Sequence, residues 1–164
     1  MAGSSKITAD SILAGFPLAK LSIVAIKGIS KPNRQKLTIL NRELNACAIT
    51  VQSYRGNGTL GHLVLTCVAE EFATINGAIP FITPINPGRD PIIPPGQTER
   101  QISVLKRAHA NALNDFLTYS SAGLAQKKLL IAAAPSTSIK VLEHVTLGYS
   151  QVTMMELLTH LWAT

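Results

Sequence analysis

The sequence predicts an all-α fold, mainly helical, with a proline-rich irregular segment and an extended N-terminal arm. Three observations lead there. Leu37, Leu40, Leu44, Cys47 and Val51 recur at steps of three and four, which puts them on one stripe of a helix that needs a core. Aromatic residues make up only 5% of the chain while alanine and leucine are plentiful, a balance that suits packed helices better than a β-sandwich or barrel. Two capping boxes, Thr98 with Gln101 and Thr153 with Glu156, stand at the heads of apolar-periodic runs.

A chain of 164 residues with 46% hydrophobic side chains is long enough for one sizeable core and too short for two ordinary ones. We therefore divide it into an arm, 1–31, and one helical domain, 32–164. The arm alternates apolar runs with Gly15, Pro17 and Gly28. Leu21, Ile23 and Ile26 fit a strand and a short helix equally. Aliphatics at a terminus need cover, and packing against a neighbouring subunit is the expectation.

The stripe helix is expected to start just after Pro32, where a missing N–H costs nothing, and to break at Gly56 and Gly58. Gly56 to Gly61 then satisfies GxGxxG. A dinucleotide site needs a strand before that pattern, a helix after it and an acid about 20 positions on. Here a helix precedes it and residues 80–84 hold no acid, so it reads as a turn. His62 to Leu65 should be extended, and a helix capped by Thr66 or a neighbour should run through Glu70, Glu71 and Phe72 to Asn76-Gly77.

Residues 78–96 contain six prolines, and proline fixes φ and donates no hydrogen bond. The isoleucines and Phe81 among them argue against a floppy linker. After Thr98 the stripe Ile102, Leu105, His109 or Ala108, Ala112, Phe116 and Tyr119 predicts a long helix that Gly123 interrupts. A second runs from Leu124 to Ala134, ending before Pro135. Ser136 or Thr137 should cap a short helix through Leu142, stopped by Gly148. Met154 to Trp162 forms the last and most apolar helix.

Charge divides the chain unevenly. Residues 1–60 hold eight Lys/Arg against two acids, and 61–164 hold seven of each sign, so the whole net charge of +6 sits in the first third. Lys20, Lys27, Lys31, Arg34, Lys36 and Arg42 fall within 23 positions that contain no acid. This asymmetry fits a polyanion such as RNA, and it also fits a solvated helix face.

Catalytic patterns are missing from the sequence: there is no nucleophile elbow, Walker loop, HExxH or CxxC. We expect no enzyme, no cofactor, no metal and no small-molecule substrate. His109 has no second ligand at zinc spacing and reads as a core-edge residue. Two cysteines, one of them on an apolar stripe, fit a reduced intracellular protein. Met1 to Ser5 is small and polar, so no signal peptide is expected there, and no run reaches the roughly 20 apolar residues that span a bilayer, so no membrane partner is expected.

Four stretches, taken in order, carry a resemblance. They are Leu44 to Ala48; Ser53 to Thr66; Pro84-Ile85-Asn86-Pro87-Gly88; and Gly148-Tyr149 through Val152-Thr153 to Leu157-Leu158 and His160-Leu161-Trp162. Together they resemble the Gag (capsid) polypeptide of copia-type LTR retrotransposons, most of all the branch common in algal and other protist genomes. The resemblance spans about residues 32–164, and its ending, GYxxVT then LLxHLW, is the most specific part. It implies an all-helical, capsid-like structural protein that self-assembles into a virus-like particle around the element's RNA, a homo-oligomer in cytoplasmic, virion-like particles. Family members continue past the position of Thr164 into further capsid helices and often a zinc knuckle. The chain is then expected to be an N-terminal capsid lobe, a processed product or a truncated gene, with only its basic third to hold RNA.

Two function classes follow. The first is a self-assembling shell protein whose contacts use Leu21, Ile23 and Ile26 of the arm, Phe81 and Ile85 of the proline-rich segment, and Met154, Leu158 and Trp162 of the last helix. The alternative is a Gag-derived adaptor or nucleic-acid-binding module that forms no shell.

Overall fold

The computed structural model describes residues 6–22, 33–53 and 58–164, and these are mostly helical with no β-strand among them. Helix α1 spans Ala9–Ala14, α2 Arg34–Thr50, α3 Ala69–Ile75, α4 Glu99–Ala133, α5 Ser136–Ile139 and α6 Met154–Ala163. Short 3-10 turns occupy Leu63–Leu65 and Lys140–Leu142.

Helix α2 forms where its stripe requires, with Leu37, Leu40, Leu44 and Cys47 buried. Its cap is Asn33, whose side chain accepts from Lys36 N at 2.9 Å; an Asx acceptor satisfies an orphan first-turn donor, which proline cannot do. Val51 lies one residue past the helix end and is only half-buried. Pro32, expected as the start, and the glycine expected at 56 fall outside the described residues.

Helix α4 is continuous for 35 residues, about 52 Å, and Gly123 does not interrupt it. A lone helical glycine costs only about 1 kcal/mol relative to alanine. The buried neighbours Ser121, Ala122, Ala125 and Gln126 offset that by packing the same turns against the core. The C-terminal half of α4 supplies Leu129, Leu130 and Ala133 to the core, and each fully buried leucine contributes about 1.5–3 kcal/mol. None of Ile102, Leu105, His109, Ala112, Phe116 and Tyr119, nearer its N-terminus, is fully buried.

The main core joins α2, the second half of α4, Ile139 of α5 and the apolar face of α6. Residues 6–22 belong to it as well. Thr8 and Ser11 cap α1 reciprocally, α1 packs on α4, and Phe16 and Leu21 are buried in the same cluster. Ser22 N donates to Glu43 Oε2 at 2.7 Å, tying the segment to the middle of α2. Phe16 and Leu21 of the arm are therefore covered by their own chain.

Leu63, Cys67 and Phe72 form a second, smaller cluster with Phe81 packed against it. Leu63 to Leu65 make a 3-10 turn instead of the expected extended segment, because Thr66 N and its hydroxyl both donate to Leu63 O. That use of Thr66 leaves Val68 at the N-cap of α3, without a side-chain cap. Pro135, not Ser136 or Thr137, occupies the N-cap of α5. The two capping boxes at Thr98 and Thr153 form as expected.

Candidate assembly surface and nucleic-acid face

Residues 78–98 carry no helix, yet they are fixed. Phe81 stacks on Tyr119 of α4 with ring centroids 5.9 Å apart and meets Phe72 edge-on at 5.6 Å. Pro84 is buried, and the Nε2 of His109 lies 3.1 Å from the carbonyl oxygen of Gly88, so that ring nitrogen carries the proton it donates. The contacts pair position 81 with 119 and 88 with 109, so the segment runs antiparallel along the first half of α4 as a strap. The covered positions Phe81, Pro84 and Pro87 recur every third residue, the period of a polyproline II helix.

That period turns Ile82 and Ile85, each one position past a covered residue, outward. Ile82 is 64% exposed, Ile85 83% and Ile92 88%, and Val104 on α4 is 61% exposed. Phe81, expected at an interface, is half-buried as the strap's anchor, whereas Ile85 stands free on the surface. Ile82 and Ile92 are exposed as well. The three-residue spacing of Phe81, Pro84 and Pro87 is the sequence signal that could have picked out Ile82.

Other expected assembly residues have different places. Leu21, Met154 and Leu158 are buried in the main core, where α2, α4 and α6 converge, so their apolar surface is already used within one copy. Trp162, at 40% exposure, lies at the edge of α6. Ile23 and Ile26 lie outside the described residues.

Of the basic residues, Lys20, Arg34 and Arg42 are exposed and Lys36 is half-buried, while Lys27 and Lys31 fall outside the described residues. Arg34 and Lys36 occupy the first turn of α2, which has no acidic residue. Ser22 rests on Glu43 in the middle of α2. The structure thus sets Arg34 and Lys36 together at the start of α2 and Arg42 further along the same helix.

Two concave sites flank α4. A cavity of about 330 Å³ is bordered by Ser53, His62, Pro84, Asn114, Asp115 and Thr118. His62 is buried, and its Nδ1 lies 2.8 Å from Val51 O, a geometry that protonates Nδ1. Burial pushes its pKa down; the Val51 carbonyl and Asp115 oppose this more weakly. A groove of about 240 Å³ is lined by Leu124, Lys127 and residues 150–154. Lys127 Nζ donates to three carbonyls there, so the cation is already held.

Both thiols are poor nucleophiles. Burial pushes Cys67 up to about 11 and also raises Cys47, so neither is a thiolate near neutrality. Among the described residues no group of three or more His, Cys, Asp or Glu is placed to hold a metal ion. None of the described helices is long and apolar enough to cross a membrane. Comparisons of the chain with family models, curated proteins and solved structures give no match.

Proposed function

We propose that this chain is a structural, capsid-like protein that self-assembles into a homo-oligomeric particle, and that it acts by assembly and not by catalysis. The observation that carries the reading is the strap. Isoleucines exposed by 83% and 88% stand on a segment that stacking, a buried proline and the His109–Gly88 hydrogen bond hold in place. Exposed apolar surface on a fixed segment is the signature of a surface that is covered in use. The resemblance of residues 32–164 to copia-type Gag supports the same role, with the basic first third as the face toward RNA and cytoplasmic particles as the place of assembly.

Size-exclusion chromatography with light scattering, followed by negative-stain microscopy, tests this. Large particles of uniform size are expected at physiological salt. A sharp monomer peak at high protein concentration would overturn the proposal and favour an adaptor that forms no shell.

A further inference from the structure

We propose that the strap is a two-fold interface, in which its outer edge, a ridge that carries Ile85 and Ile92, packs antiparallel against the same edge of a second copy. This rests on the assembly reading above and names one of its contacts. The argument for a second copy, and not another partner, comes from charge. Between Ile85 and Ile92 the strap places Arg89 and Asp90 side by side, both exposed, and no other charged residue occurs from 78 to 98. A ridge with one cation next to one anion is neutral and complementary to itself. About a two-fold axis between positions 89 and 90, Arg89 of each copy meets Asp90 of the other, with isoleucines on both flanks. A polyanion or a strongly acidic or basic protein gains nothing from such a surface.

The geometry also favours it. The strap is fixed before any partner arrives, so pairing two ridges orders little new backbone. Reciprocal pairing across the axis uses each residue twice, which makes a small patch count double. It also spares a chain of net charge +6 from adding like-charge contacts at the interface.

Charge exchange tests the idea on the full chain. Sedimentation equilibrium would be run on the wild type, Arg89→Asp, Asp90→Arg, the double exchange R89D/D90R, and I85S/I92S, with helical circular dichroism checking the fold of each. Every one of these side chains is exposed, so folding should survive. Each single exchange is expected to weaken dimerisation about fivefold, the double exchange to return it to within about twofold of wild type, and I85S/I92S to abolish it. Unchanged dimerisation of I85S/I92S, or failure of the double exchange to rescue, overturns the two-fold even if particles still form. Dimers that obey the exchange pattern in a protein that never forms particles would support the ridge and overturn the shell. A wild type that stays monomeric overturns both.

Discussion

Lys127 Nζ donates to the carbonyl oxygen of Val152 at 2.7 Å and so fastens the second half of α4 to the residue just before the cap of α6. The same ammonium reaches Tyr149 O at 2.8 Å and Ser150 O at 3.3 Å. Three carbonyls of an irregular segment are thus satisfied by one side chain. Burial lowers the pKa of Lys127 while Glu156 opposes the shift, a sign that the cation is partly removed from water.

Lys127→Met should keep the aliphatic stem and lose all three hydrogen bonds, leaving the carbonyls to find water. A cost of about 2 kcal/mol is expected, or roughly 4–8 °C in Tm for a chain of this size. Thermal unfolding followed at 222 nm measures it. A change below about 0.5 kcal/mol would show that water replaces the ammonium without penalty.

Two glycines predict opposite outcomes. Gly61 has φ +51°, and a Cβ placed there would lie 2.4 Å from Ile49 O, 2.7 Å from Val51 O and 2.9 Å from Ala48 O. The last glycine of the GxGxxG pattern is therefore needed because the end of α2 presses its carbonyls against this turn. Gly61→Ala should cost at least about 3 kcal/mol. At Gly123 a Cβ would meet only Leu65 Cδ2, at the ordinary distance of 3.7 Å. Gly123→Ala should stabilise by about 0.5–1 kcal/mol, since the helix is already continuous. Urea unfolding of both variants checks the pair.

Protonation of His62 should destabilise the fold. Its folded pKa lies below the ordinary 6.5, so at acid pH the unfolded chain binds more protons than the native one. Stability from this group is complete above pH 6.5 and falls as the pH drops below it, by at most about 1.4 kcal/mol per pH unit. Glu156 acts in a separate, lower window. The Thr153 backbone and hydroxyl hold its pKa below 4.5, so its contribution disappears only as the pH falls below that value. Urea midpoints between pH 7.5 and 5.5 should decline in the wild type and decline less in His62→Asn.

How much of this was legible depends on what sets each feature. The α2 stripe from Leu37 to Cys47 and the capping boxes at Thr98 and Thr153 are local patterns, and they formed as read, although Val51 falls beyond the helix. The break at Gly123 is a local preference that packing of Ala122 and Ala125 overrides. Met154 and Leu158 looked like candidates for an interface because periodicity reports that a face needs cover, not which element covers it. Conversely, Ile85 was legible as an interface candidate, whereas Ile92 joined it only once the strap was seen held down at Phe81 and Gly88, through contacts 21 or more positions apart in the chain.

The last prediction concerns the basic face. Arg34 and Lys36 sit in the first turn of α2, where the helix dipole disfavours positive charge by a few tenths of a kcal/mol each, and no acid in that turn offsets them. Asn33 caps the end through a bond from Lys36 N to its side-chain oxygen. An anion at this end would reverse the penalty, and RNA phosphate is the anion that the proposed particle would carry. Binding should then be nearly independent of sequence and fall steeply with salt. Replacing Arg34, Lys36 and Arg42 by Gln should make the log–log salt slope shallower by roughly 0.7 for each lost contact with single-stranded RNA. Arg34 and Arg42 are exposed and Lys36 is half-buried, so unfolding midpoints should change little and separate a charge effect from a folding defect. An unchanged slope, with unchanged nucleic-acid content in purified particles, would mean that these charges serve only as a solvated face.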